Sequence, residues 1–117
     1  MKQIQDENGN VIETNDPTLL RKTVSKQTSD RVKEALRAVM TDGTGVPANV
    51  EGYDIGGKTG TAEKLPRGNG DYLLSFIGYA PQENPEVVIY VVIDEPNVEN
   101  QELSSYVLEL SQKIMAE

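Results

Sequence analysis

The stretch whose residue types could do chemistry is Gly-Gly-Lys-Thr-Gly-Thr-Ala-Glu, residues 56–63. Its three glycines would let a ligand or another backbone come close to a single lysine. In an extended strand, Lys58 points to one side, and Thr59 and Thr61 point to the other. Lys58 can supply a fixed positive charge, and Thr61 can supply a hydroxyl and a backbone N–H. This set suits an anionic substrate or a developing oxyanion.

A lone Lys-Thr-Gly tripeptide leaves two other interpretations open. It is compatible with a glycine-rich strand or turn whose lysine is merely solvated. The lysine also completes a pattern typical of nucleotide-binding P-loops, since residues 52–59 (GYDIGGKT) satisfy G-x-x-x-x-G-K-[ST]. The apolar run 89–94 ends in an aspartate, as does the strand that holds magnesium in such enzymes.

The context of the lysine argues against a P-loop. A P-loop follows a buried strand and opens a helix, whereas residues 45–51 predict a loop and Pro66 with its neighbouring glycines excludes a helix. No crossover helix leads to the next strand, so a parallel βαβ unit cannot be built. The P-loop nucleotide-binding domain is thus disfavoured, but it is kept as the alternative function. A third interpretation is a stand-alone interaction module in which the tripeptide is incidental.

Two strands are predicted after this segment. The runs Tyr72–Tyr79 and Val87–Ile93 are rich in apolar residues, and the short polar connection between them predicts an antiparallel pair. Val87–Ile93 is apolar on both faces, which is typical of a strand that is covered on both sides and central in its sheet.

Two amphipathic helices are predicted around the strands. The first begins at Ser25 or Thr28 and ends near Thr41, before a loop that starts at Gly43. Its apolar stripe consists of Val32, Ala35, Leu36, Val39 and Met40. The second runs from about Asn100 to the end of the chain, and its stripe is expected to lie on the sheet. That stripe consists of Leu103, Tyr106, Val107, Leu110 and Ile114.

A hairpin is predicted near the N-terminus. Asn8-Gly9 is a strong turn signal, and short strands are expected at Lys2–Gln5 and Val11–Glu13. The acidic and amide residues of the turn do not form a calcium loop, because such a loop needs glycine at its sixth position, where Val11 stands.

The composition excludes several classes of function. The chain has 117 residues, enough for one small domain, and a net charge of −8, which argues against nucleic acid and anionic lipid as partners. It has no cysteine and no histidine, which excludes disulfides, thiolate or imidazole metal sites and Ser-His-Asp chemistry. No apolar run is long enough for a membrane span. No cofactor and no metal site are predicted.

Taken in order, these features resemble the C-terminal part of the transpeptidase domain of class B penicillin-binding proteins. An Asn-Gly hairpin precedes a helix that ends in Asp-Gly-Thr-Gly, residues 42–45, and a loop then leads to segment 56–63, the strand pair and a terminal helix. The resemblance covers residues 1–117. It implies an α+β fold, with an antiparallel sheet packed by the C-terminal helix, as part of the serine β-lactamase-like transpeptidase fold.

Of the three signatures of that family, only Lys-Thr-Gly is present. No serine here begins an S-x-x-K or S-x-N motif, so the resemblance implies a fragment that is inactive alone, since the nucleophile and its base are missing. It also implies roles for the residues of the motif. Lys58 would organise the charge network around the nucleophile, and Thr59 and Gly60 would line the cleft. Thr61 would bind a substrate carboxylate, and its N–H would be half of the oxyanion hole.

The resemblance extends to the full-length parent. The parent would be a peptidoglycan D,D-transpeptidase at the extracytoplasmic face of the bacterial cell membrane, anchored by a segment upstream. Its ligands would be the peptidoglycan stem peptide and β-lactams. The family's sheet has five strands, two of which lie upstream, so the edge of Val87–Ile93 would be open here. Two outcomes are expected for that edge: either the chain forms a homodimer through it, or the Lys2–Gln5 hairpin folds across and caps it.

Overall fold

The computed structural model describes residues 3–16 and 18–117, and it has an α+β architecture. Its strands are β1 (Gln3–Gln5), β2 (Val11–Thr14), β3 (Gly56–Glu63), β4 (Tyr72–Ala80) and β5 (Val87–Asp94). Its helices are α1 (Lys26–Thr41), a 3₁₀ turn (Val46–Ala48) and α2 (Ser105–Ala116). Strands β1 and β2 form a hairpin of their own, and the other three form an antiparallel sheet in the order β3-β4-β5. The predicted fold class is confirmed.

The N-terminal hairpin is closed by Asp6. Its carboxylate oxygen Oδ1 accepts hydrogen bonds from the backbone N–H groups of Asn8 and Asn10, at 2.9 and 2.8 Å. Gly9 has a positive φ of 83°, as the predicted turn requires. Both predicted strands are present, although Lys2, the first residue of one of them, lies outside the described residues.

Helix α1 begins and ends where the sequence predicts. Ser25 Oγ accepts a hydrogen bond from the backbone N–H of Thr28 at 3.1 Å, which satisfies one of the free donors at the helix start. The predicted apolar stripe is covered at one end only. Met40 is buried in the core, whereas Val32, two turns earlier, is half exposed.

The central position that the apolar pattern predicts for Val87–Ile93 is wrong for this chain, whereas the open edge that the resemblance implies is present. The central strand is β4, while β5 lies at an edge and pairs with β4 alone among the described residues. The two apolar faces of β5 made it resemble a central strand, but only one of them is packed here. Its residues Ile89, Val91 and Ile93 lie against the core.

The core lies between the sheet and α2. Leu74 and Phe76 of β4 and Val107 and Leu108 of α2 are fully buried there. The core is completed by Met40 at the end of α1, Ala48 of the 3₁₀ turn and Ile55 of the loop before β3.

Helix α2 begins later than predicted, and its buried face is rotated by about one residue. Leu110 and Ile114, which were expected on the sheet, are exposed, and Ser111 is completely buried instead. Ser111 Oγ donates a hydrogen bond to the carbonyl of Val107 at 2.6 Å. Because the hydroxyl is satisfied within the helix, this small side chain can face the core without the cost of an unpaired polar group.

Candidate functional site

All four residues singled out from the sequence lie on β3, an edge strand of the described sheet. Residues directly opposite each other in an antiparallel pair share a face of the sheet. Lys58 is opposite Ile77, so it lies on the face away from α2. Thr59 is opposite Phe76, so its side chain lies on the other face. Gly60 lies between Thr59 and Thr61 in the same strand, as predicted.

The chain after the lysine continues as a strand. A P-loop requires a helix at this point, but residues 56–63 are extended and pair with β4 in antiparallel register. The nucleotide-binding alternative is therefore not favoured.

The glycines of β3 make room for side chains of β4. A Cβ added at Gly57 would lie 2.6 Å from Cζ of Phe76, and a Cβ at Gly60 would lie 2.5 Å from Oγ of Ser75. A Cβ at Gly56 would collide with the ring of Tyr79. The expectation that these positions are open to a ligand or another backbone is therefore corrected, because the space is already filled from within the sheet.

The exposed Lys58 side chain turns along its own strand. Its Nζ donates to the carbonyl oxygen of Thr59 at 2.8 Å and contacts Thr59 Oγ1 at 3.3 Å.

Thr44 joins this group, and the sequence reasoning assigned it no role. Its Oγ1 lies 3.0 Å from Thr59 Oγ1. The two threonines are fifteen residues apart, so no local pattern links them. The sequence feature that could have pointed to Thr44 is the Asp-Gly-Thr-Gly motif at the end of α1. The motif alone does not indicate which part of the chain the loop contacts.

The two lysines of this region differ in their partners. Lys64, just after β3, forms ion pairs with Glu95 and Asp94, and these carboxylates raise its pKa above the usual value. Within residues 3–16 and 18–117, Lys58 forms no ion pair with a carboxylate. Its positive charge is therefore available to an anionic ligand at the exposed edge.

Within the described ranges, no cluster of acidic residues is suited to hold a metal ion. In that same part of the chain, neither helix combines the length and the apolar character needed to cross a lipid bilayer.

The fold and the site define an α+β protein with an antiparallel sheet whose edge strand carries an exposed lysine. Comparison with known proteins identifies its family. The model of the penicillin-binding protein transpeptidase domain matches residues 1–116. The chain therefore belongs to the penicillin-binding-protein transpeptidase family.

Individual relatives agree with this assignment. Stage V sporulation protein D of Bacillus subtilis is 43% identical over 83 residues, which is 68% of this chain and 13% of that protein. Penicillin-binding protein 3 from Mycobacterium tuberculosis superimposes with a TM-score of 0.74 at 31% identity, over 98% of this chain and 28% of that one. The transpeptidase domain of a peptidoglycan glycosyltransferase from Eggerthella lenta gives 0.68 at 36% identity, over 98% and 26% of the two chains. The chain thus spans a small part of the proteins that it matches.

Proposed function

We propose that residues 1–117 are the C-terminal part of the transpeptidase domain of a class B penicillin-binding protein, and that they supply the Lys-Thr-Gly strand of its active site. The whole protein would be a serine-type peptidoglycan D,D-transpeptidase. The observation that supports this most directly is the exposed Lys58 on the free edge of β3, with no carboxylate partner among the described residues.

In this proposal, the nucleophilic serine and its lysine base lie in a part of the domain outside this chain. The serine would attack the carbonyl of a D-Ala-D-Ala stem peptide, and an amine would then accept the acyl group. Lys58 would stabilise the charge that develops around the nucleophile. Thr59 and Gly60 would line the cleft. Thr61 would bind the terminal carboxylate, and its N–H would be one donor of the oxyanion hole.

β-Lactams would occupy the same cleft. Support comes from structures of penicillin-binding protein 3 of Mycobacterium tuberculosis in complex with aztreonam and with ampicillin, each of which superimposes on 98% of this chain with a TM-score of 0.69. With peptidoglycan as its substrate, the parent protein would act at the extracytoplasmic face of the bacterial membrane, and its anchor would lie in another segment. Nucleic acid is not a partner in this proposal.

The test replaces Lys58 by alanine in the full-length protein. Losing one preorganised electrostatic contact costs roughly 3–4 kcal/mol in the transition state, so acylation by a β-lactam should slow by about 10²–10³-fold. The melting temperature should hardly change, because the side chain is exposed and packs against little. Lys64→Ala is the matched control, since it removes a lysine at the end of the same strand and should leave acylation intact. Unchanged acylation with a lowered melting temperature in Lys58→Ala would make the lysine structural.

The chain by itself should be inactive. After incubation of the purified 117-residue chain with a penicillin, mass spectrometry should show unmodified protein, because no serine begins an S-x-x-K motif. A stable acyl adduct on any of its serines would contradict the proposal.

A further inference from the structure

We propose that Thr44 is a positioning residue for Lys58. Its hydroxyl holds the hydroxyl of Thr59, which in turn contacts the Lys58 ammonium. The loop at the end of α1 and the carbonyl of Thr59 together then determine the position of that charge. This inference deepens the proposed function, and it rests on the role given there to Lys58.

The chemistry of the ammonium group fixes the direction of one contact, and we assign the direction of the other to match it. An ammonium group only donates hydrogen bonds, so Thr59 Oγ1 accepts from Lys58 Nζ, at 3.3 Å. The proton of the Thr59 hydroxyl is then free to be donated, and Thr44 Oγ1 lies 3.0 Å away. With Thr44 as its acceptor, the Thr59 oxygen keeps its lone pairs towards the lysine. Without Thr44, the hydroxyl of Thr59 can rotate and this orientation is lost.

The loop is fixed tightly enough to serve this purpose. A Cβ at Gly43 would lie 2.9 Å from Cα of Val39, and one at Gly45 would lie 2.6 Å from Sδ of Met40, so both glycines press against the last turn of α1. The N–H of Gly45 donates to the carbonyl of Val39 at 2.9 Å. Thr44 lies between these two anchored glycines, and its position therefore follows the end of the helix.

The opposite side of the loop is anchored as well. The N–H of Ala48 donates to the carbonyl of Gly45 at 2.8 Å, and Ala48 is completely buried in the core. Thr44 itself is exposed. Its side chain therefore contributes little to packing. The hydroxyl of Thr44 is needed for the contact with Thr59.

The experiment uses the full-length protein and separates the rate of acylation from the affinity for the β-lactam. Thr44→Val keeps the shape of the side chain and removes the hydroxyl. It should reduce the acylation rate constant about three- to ten-fold, the value expected for one net hydrogen bond, with little change in affinity or melting temperature. Thr44→Ser keeps the hydroxyl and should restore most of the rate. In a Lys58→Ala background, Thr44→Val should have no further effect, because the group that it positions is absent.

The outcomes distinguish this inference from the proposed function. If Lys58→Ala slows acylation strongly and Thr44→Val does not slow it, the inference falls and the proposed function stands. If Lys58→Ala has no effect, the proposed function falls, and the inference falls with it. The inference is also overturned if Thr44→Ser fails to restore the rate, if Thr44→Val only lowers the melting temperature, or if it slows the Lys58→Ala protein just as much, since Thr44 would then act by another route.

Discussion

The two faces of the β3-β4-β5 sheet have similar apolar side chains but very different surroundings. On one face, Leu74 and Phe76 lie under α2 with no exposed surface. On the other face, alternate residues of the same strands are open to solvent. Their exposed fractions are 46% for Ile77, 66% for Val88, 65% for Tyr90 and 44% for Val92.

The difference comes from the helices rather than from the strands. Helix α2 covers one face, whereas α1 reaches only the end of the other face, near Tyr79 and Val88, where Val32 and Leu36 line an apolar cleft of about 490 Å³ with them. The uncovered face is also the one that carries Lys58. Large exposed apolar areas are rare on soluble proteins unless they bind something. Under the proposed function, the rest of the transpeptidase domain would lie on this face, next to the lysine.

The largest expected effect tests the contrast between the faces with two neighbouring residues. Phe76→Ala should destabilise the chain by about 3–5 kcal/mol, because it opens a cavity between the sheet and α2. Ile77→Ala, one position further on the opposite face, should cost less than about 1 kcal/mol, because its side chain is already half exposed. Urea denaturation of the purified chain measures both. Similar losses for the two variants would mean that the two faces are not packed as described.

Most of the elements could be predicted from the sequence because their signals are local. The Asn8-Gly9 turn, the Ser25 cap and the apolar runs of β4 and β5 each depend on a few adjacent residues. The errors concern what packs against an element. The two apolar faces of β5 do not say how many neighbours the strand has, and the stripe of α2 does not reveal that Ser111 can be buried with its hydroxyl bonded to the helix.

The candidate site shows the same division. The sequence predicts that Lys58, Thr59, Gly60 and Thr61 share one strand, because the motif is continuous, and the structure contains that strand. Thr44 could not be found in this way. Its contact with Thr59 depends on the path of the intervening loop, which brings the end of α1 back to β3.

The second prediction concerns the free edge of β5. We expect the purified chain to associate as a dimer through this edge, because a long apolar strand with unpaired backbone groups is a template for another copy. Tyr90→Lys places a charge in the middle of the strand and should weaken the dimer. Leu65→Lys is the control, since it makes the same kind of change at an 83% exposed residue outside the sheet.

Light scattering over a range of concentration and salt measures this association. Because each copy has a net charge of −8, repulsion should weaken the dimer at low salt and added salt should strengthen it. A monomer at high concentration with rapid amide exchange along β5 would show an edge that is open but unpaired. A dimer lost equally in Leu65→Lys would place the contact elsewhere.

The smallest expected effect lies where α1 meets the open face, at Tyr79. Its hydroxyl oxygen is buried and has no hydrogen-bond partner among the described residues. Burial, and secondarily the negative charge of Asp54, raises the pKa of this hydroxyl. Tyr79→Phe removes a polar atom that is desolvated without compensation, so its free energy of unfolding at neutral pH should change by less than about 1 kcal/mol and in the stabilising direction. Tyr53→Phe, at an exposed tyrosine, should have no effect.

The pH dependence of stability separates this explanation from a simple change in packing. An unfolded tyrosine ionises near pH 10. In the folded chain the pKa of Tyr79 is higher, so the unfolded state loses its proton first as the pH rises above 10. The stability of the unsubstituted chain therefore falls as the pH rises. Tyr79→Phe lacks this contribution and should lose less stability between pH 9 and about pH 11 than either the unsubstituted chain or Tyr53→Phe. Urea denaturation across that range measures the difference. If the three proteins decline in parallel, the Tyr79 hydroxyl is solvated, and the end of the open face is not closed by α1.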